Sequence, residues 1–251
     1  MSSSRVAAQA AIGIGVMVFF VTVPARSRES GKKPGVRQYF AEIGEGVRYV
    51  GSEPFLKKFL VLSALFNILI APVAVMTPLQ VARNWGEGVL AVIGGFLAGP
   101  EQRLAMVEVA FFGGMMLGGL VIGVWGGFKN KSHTMALSTF FLGLSTVGLG
   151  LIADFRLYLL CMGLAGLMHN LFNPPMMATL QTKVDPAYMG RVFSVLTMLG
   201  SVMMPLSMVF WGPLGDAIPI GWLLAGTGAA VFLMGFVFVL DKTLLEAGKA
   251  T

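Results

Sequence analysis

The sequence predicts an all-α integral membrane protein with about seven transmembrane helices, and three observations carry that reading. Of its 251 residues 56% are hydrophobic and 12% charged, where soluble domains carry about 25% charged residues, and the mean hydropathy is +0.79. Seven stretches reach the length of about 20 apolar residues that crosses the hydrocarbon core, namely 6–23, 59–82, 104–125, 134–153, 157–180, 192–214 and 220–240. Lys and Arg are sorted between alternate connections. The net charge of +6 is therefore a topology signal, with no nucleic-acid partner implied.

The first stretch is longer than the roughly 7–15 residue core of a signal peptide, and a basic cluster follows it, so it is read as a span with the N-terminus outside. Residues 25–58 form the one long connection on the basic side. "SRESGKKPG" has linker composition, and then Val36, Phe40, Ile43, Val47 and Val50 recur at helical spacing, as in an amphipathic helix lying on the membrane or on the bundle. The connection 83–103 contains "VLAVIGGFLAG", too short to span and so interfacial or packed at the bundle mouth. The remaining connections are short, as in an up-and-down bundle. With residues 25–58 cytoplasmic, fourteen Lys and Arg fall on that side, and only Arg5, Arg83, Arg103 and Arg156 on the other; this is the positive-inside pattern.

Glu108 is the one charged residue inside these stretches. An ionisable group in the membrane points to a proton relay or a substrate counter-ion, although four residues into its stretch it also lies within reach of interfacial water. His169, Asn170 and Asn173 sit near the centre of 157–180, beside Pro174 and Pro175. The prolines remove the donors for carbonyls 170 and 171, and transporters place binding sites beside such irregular backbone. The same polar groups also suit helix–helix hydrogen bonding. Ser63, Asn67, Ala74 and Thr77 align on one helix, and Ser194, Thr197, Ser201, Met204 and Met208 on another. Such stripes line a mildly polar, adaptable cavity or serve ordinary packing. Gly114 and Gly118, then Gly119, Gly123 and Gly127, recur at intervals of four, the small-xxx-small pattern of close helix contact. Arg191 pairs with Asp185 or with helix ends, or is simply solvated.

Enzyme signatures are wanting. The two histidines, His133 and His169, are 36 apart, so HExxH is absent, "GLSTVG" is not GxSxG, and there is no GxxxxGK[ST] for a nucleotide phosphate. The lone Cys161 excludes an internal disulfide or a cysteine metal cluster. No cofactor is expected.

"EGVRYV" followed by a proline, "PLQVARNW", "VEVAFFGGMMLGGLVIGVWGGFKNK", "FNPPMMATLQTKVDPAYMGRVFS" and "WGPLGD" occur in that order. Over roughly residues 36–240 the ordered set resembles the C-terminal half of a major facilitator superfamily transporter of the drug, macrolide and siderophore exporter branch. The resemblance implies a six-helix half-bundle of two inverted three-helix repeats over 59–251. Residues 1–24 then correspond to the last helix of a missing N-terminal half, 25–58 to the cytoplasmic linker, and 92–103 to an insertion. It further implies proton-coupled efflux of amphipathic small molecules such as drugs or macrolides across a bacterial plasma membrane, with the C-terminus cytoplasmic. Glu108 would be the proton-coupling group, and Asn67, His169, Asn170, Asn173, Ser201 and Met204 the substrate-cavity residues. Lys129, Lys131, Asp185 and Arg191 would belong to the gate. The acidic member of the gate loop is missing, with Gly127 near its place. Expected partners are the lipid bilayer, protons, a small amphipathic substrate, and an N-terminal half-transporter or a second copy. The alternative is a non-transporting membrane subunit or a truncated remnant.

Overall fold

A computed structural model describes Gly44 and residues 48–85 and 100–249, apart from the side chains of Pro100, Met204 and Asp216. The span expected at 6–23, most of the linker and the run 89–99 lie outside the described residues. The described chain is helical throughout, with no β-strand among the described residues and six helices long and apolar enough to cross a membrane. These are α1 (Pro54–Trp85), α2 (Pro100–Trp125), α3 (Lys131–Leu151), α4 (Phe155–Lys183), α5 (Met189–Ala217) and α6 (Ile220–Leu240), followed by the short α7 (Lys242–Ala247). The protein is an all-α, multi-pass membrane protein, in contact with lipid along these helices.

Hydropathy located each helix but not its ends, because polar turns extend most of them past the apolar run. Arg103, expected in a connection, is in the first turn of α2. Local chemistry sets several of the boundaries. The Asn130 side chain accepts from Ser132 N at 3.0 Å to start α3, and the Asp154 carboxylate accepts from Arg156 N and Leu157 N at 2.8 and 3.1 Å to start α4. Both satisfy N–H groups that have no intrahelical partner. Gly126 and Gly127, at φ 73° and 79°, turn the chain out of α2 in the left-handed region open to glycine.

The helices alternate in direction, so one end of the bundle carries Lys57, Lys58, Lys129, Lys131, Lys183 and Arg191, and the other Arg83, Arg103 and Arg156. We call the first the basic end. There, Tyr49 in the helical stretch before α1 stacks on Tyr188, with centroids 4.2 Å apart, and its hydroxyl accepts from Asp185 N at 3.3 Å. Packing pairs α2 with α4, α1 with α5 and α3 with α6, while α1 also meets α6 and α3 meets α4. Exchanging α1–α3 for α4–α6 leaves those contacts unchanged, and α1 runs away from the basic end while α4 runs toward it, but α1 also meets α2 with no comparable contact between α4 and α5. Apart from that pair, the contacts are in keeping with two inverted three-helix repeats.

Glycine makes the tightest contacts. A Cβ on Gly114 would collide with the Gly163 carbonyl oxygen, and one on Gly118 with that of Leu167. α2 and α4 therefore run parallel with their backbones touching. Gly143, Gly150, Gly221 and Gly228 bring the backbones of antiparallel α3 and α6 into contact as well. The glycine repeat is thus structural at 114 and 118, whereas Gly123 faces open space and Gly127 lies beyond the helix. Gly114→Ala is expected to lower the thermal midpoint of the detergent-solubilised protein, since overpacking costs about 1–3 kcal/mol. Gly123→Ala should leave it unchanged or raise it; equal effects of the two would remove the backbone contact as the cause.

Candidate functional site

Helices α1 to α5 line a cavity of about 390 Å³ that is open on one side, where Asn67, Glu108 and Phe112 are exposed, within the range of roughly 300–1,000 Å³ usual for small-molecule sites. One face of α1 supplies Asn67, Ile70, Ala74 and Thr77, a helical stripe that includes three of the four residues aligned in the sequence. Glu108, Phe111 and Phe112 come from α2, His169 from α4, Thr146 from α3 and Met203 from α5. Most of this surface is apolar.

Its polar groups divide sharply by use. The Thr77 hydroxyl donates to the Val73 carbonyl, Thr146 to Leu142 O at 2.9 Å, and Asn67 Nδ2 to Ser63 O at 2.8 Å. These donors are taken up by their own helices. The groups left for a guest are the Glu108 carboxylate, the His169 imidazole and the Asn67 side-chain oxygen; the first two have no hydrogen bond or ion pair among the described residues. The His169 ring lies 6.1 Å from that of Phe111, which joins α2 and α4 across the cavity wall. Since α2 begins at Pro100, Glu108 lies eight residues from the helix start, or about 12 Å. Proline adds backbone polarity: Pro78 withdraws the N–H that would bond the carbonyl of Ala74, in the cavity wall.

Asn170, Asn173 and Ser201 do not line this cavity. Asn170 Nδ2 donates to Met115 O on α2 at 2.6 Å, an interhelical bond. Asn173 Nδ2 donates to His169 O at 2.9 Å, one position before the carbonyls that Pro174 and Pro175 release. The Ser201 hydroxyl donates to Thr197 O at 2.9 Å, and α5 meets the cavity through Gly200 and Met203. The Met204 side chain lies outside the described residues. Ser194 and Thr197 are exposed and likewise bonded to their own helix.

At the basic end the Asp185 carboxylate accepts from Ala187 N at 2.8 Å, and the Arg191 guanidinium lies 5.3 Å from the centre of the Tyr188 ring, within cation–π range. Lys129 is exposed in the loop after α2. Lys131 N donates to Gly248 O at 2.8 Å, fastening that loop to the tail. Ser132 Oγ donates to Leu244 O at 2.6 Å, and Lys58 Nζ to Asp241 Oδ2 at 2.7 Å, so α7 is strapped across the starts of α1 and α3. Sequence reasoning missed this strap, whose contacts join residues far apart in the chain. It also missed Arg103, which is 1% exposed.

Comparison with known proteins gives partial relatives. Macrolide efflux protein A of Streptococcus pyogenes is 25% identical over 193 residues, 75% of this chain and 45% of the relative. The protein of the same name from Enterococcus faecalis is 24% identical over 172 residues, 68% and 50%. The multidrug efflux pump Tap of Mycolicibacterium fortuitum is 24% identical over 213 residues, 84% and 48%. The chain thus spans about half the length of the curated relatives it matches. No family model and no solved structure matches it. The similarity supports a drug-exporter half of the major facilitator type, in keeping with the ordered motifs.

The hydrogen bond from Lys58, joined by those from Leu244 N and Thr243 N, holds the Asp241 carboxyl below its ordinary value of 3.8. A depressed folded value means that the strap's contribution is present above the ordinary value and is lost as pH falls through the folded one. In a Cys161→Ser background, a nitroxide at Glu246→Cys is expected to stay immobile from about pH 8 to about pH 5 and to loosen below about pH 4. Asp241→Asn, which keeps the helix cap but not the ion pair, should loosen it throughout; a label equally immobile in both proteins would contradict this.

Proposed function

We propose that this chain is a C-terminal half-domain of a secondary-active, proton-coupled exporter of amphipathic small molecules, with 1–24 and 25–58 as the preceding helix and the cytoplasmic linker. The observation that carries the reading is the cavity, in which one carboxylate and one imidazole face an otherwise apolar, drug-sized space. An apolar wall suits the body of an amphipathic guest, and a single anion selects a cationic or donor group on it. The same anion, when protonated, no longer opposes an empty cavity in the membrane, so exchange of substrate for proton follows from one site. Glu108 is assigned as that group, with His169 and Asn67 orienting the guest.

The inverted-repeat contacts support rocking of the bundle against a partner as the means of alternating access. So do α2 and α5, which flank α1 and carry exposed Phe112, Met116, Val209 and Phe210. A second bundle, either an N-terminal half or another copy, would cover that face. The basic end is assigned to the cytoplasm from its Lys and Arg, in a bacterial inner membrane. Lys129, Lys131, Asp185 and Arg191 lie there as candidate gate residues.

Retention of ethidium should be measured in cells expressing the chain alone and with the N-terminal half of a related exporter. The expected result is efflux that a protonophore collapses and that Glu108→Gln reduces to the protonophore-treated level. Efflux unchanged by Glu108→Gln would remove that residue from the mechanism. No efflux in either setting would favour a non-transporting subunit.

A further inference from the structure

Arg103 is 1% exposed, and none of its three guanidinium nitrogens has a hydrogen-bond partner among the described residues. An enclosed guanidinium carries five donors and a fixed charge that no protonation change removes, and a buried charge is held only when paired and hydrogen-bonded. Its position sharpens the demand. It lies in the first turn of α2, where Glu101, Gln102 and Arg103 have backbone N–H groups without intrahelical acceptors, at the positive end of the helix dipole. The parallel register that sets Gly114 on Gly163 and Gly166 on Phe111 brings this turn level with the start of α4.

Among the described residues, the charged groups at that end do not neutralise it. Glu101 is exposed, and the Asp154 carboxylate is engaged in capping α4. Arg156 adds positive charge. The apolar and aromatic cluster at this end holds Trp85, Val107, Phe155 and Tyr158. Val107, one turn along α2 from Arg103, or about 6 Å, lines the cavity.

We infer that Arg103 anchors an oxyanion-binding site at this end of the bundle, which takes the single phosphate or carboxylate of an amphiphile. The guanidinium fork matches either oxyanion in bidentate fashion, and the apolar surroundings require the anion to arrive attached to an apolar body. A phospholipid headgroup and a free amphiphilic acid share this chemistry.

Thermal unfolding of the purified full chain in maltoside detergent separates the sources. The probes are dioctanoyl phosphatidylglycerol against dioctanoylglycerol, and decanoate against methyl decanoate. An anionic probe at a hundredfold excess over its Kd is expected to raise Tm by roughly 5 °C or more, with its neutral counterpart inert. Arg103→Met should abolish the response, and Arg103→Lys, which keeps the charge but not the fork, should weaken it. A response to phosphatidylglycerol alone assigns the site to lipid phosphate, and a response to decanoate assigns it to a free amphiphile. A wild-type protein indifferent to both overturns the inference, as does an Arg103→Met protein that responds equally. Glu87 lies in the connection between α1 and α2, outside the described residues; a response that Glu87→Gln creates in an otherwise indifferent protein also overturns the inference, because the counter-charge is then internal. The readout is binding in purified protein, so it stands or falls apart from efflux.

Discussion

Everything in this bundle depends on backbone contact at glycine. In lipid, helices gain little by burying apolar side chains against each other, so association rests on close packing and on interhelical hydrogen bonds. The α2–α4 seam at Gly114, Gly118, Gly163 and Gly166 fixes how both helices are rotated. Asn170 locks that rotation by donating across the seam to Met115 O. With it fixed, Glu108 and His169 turn toward the same cavity from two different helices. The α3–α6 seam does the same behind the cavity, and α3 keeps Ser138, Thr139, Ser145 and Thr146 buried with each hydroxyl donating to its own helix.

Proline imposes the second constraint, since each one inside a helix withdraws a donor from the carbonyl four residues earlier. Pro72 does this to Ile68, and the indole N–H of Trp211 on α5 donates to that carbonyl at 2.9 Å. A local defect in α1 thereby becomes the polar tie between α1 and α5. Pro78 does the same to Ala74, whose residue faces the cavity, so there the freed carbonyl adds polarity to the wall. One residue type thus serves packing in one turn and the site in the next.

The helices themselves were legible because hydropathy responds directly to membrane thickness. Their order and alternation followed from loop length and from the Lys and Arg distribution. Which face each helix turns inward was less legible, because helices apolar on all sides give periodicity little to grip. Asn67, Glu108 and His169 stood out as polar residues in apolar runs, and all three line the cavity. Ser201 stood out equally and does not line the cavity, because a hydroxyl that bonds its own helix satisfies itself on any face. Asn170 and Asn173 carry the same side chain, yet one bridges helices and the other bonds its own; only the neighbouring backbone decides between those fates. Arg103 read as a loop residue because hydropathy ends a helix at its first charges, whereas α2 continues through them.

The central claim is that Glu108 faces an aqueous cavity and not lipid, and labelling in native membranes tests it most directly. In a Cys161→Ser background, Glu108→Cys would be treated with a charged, membrane-impermeant thiol reagent and compared with Leu233→Cys, at the 63% exposed position on α6. The cavity assignment predicts that Glu108→Cys reacts, is protected by an amphipathic cation, and far outpaces Leu233→Cys. A Glu108→Cys protein as unreactive as Leu233→Cys would place that position against lipid and contradict the assignment.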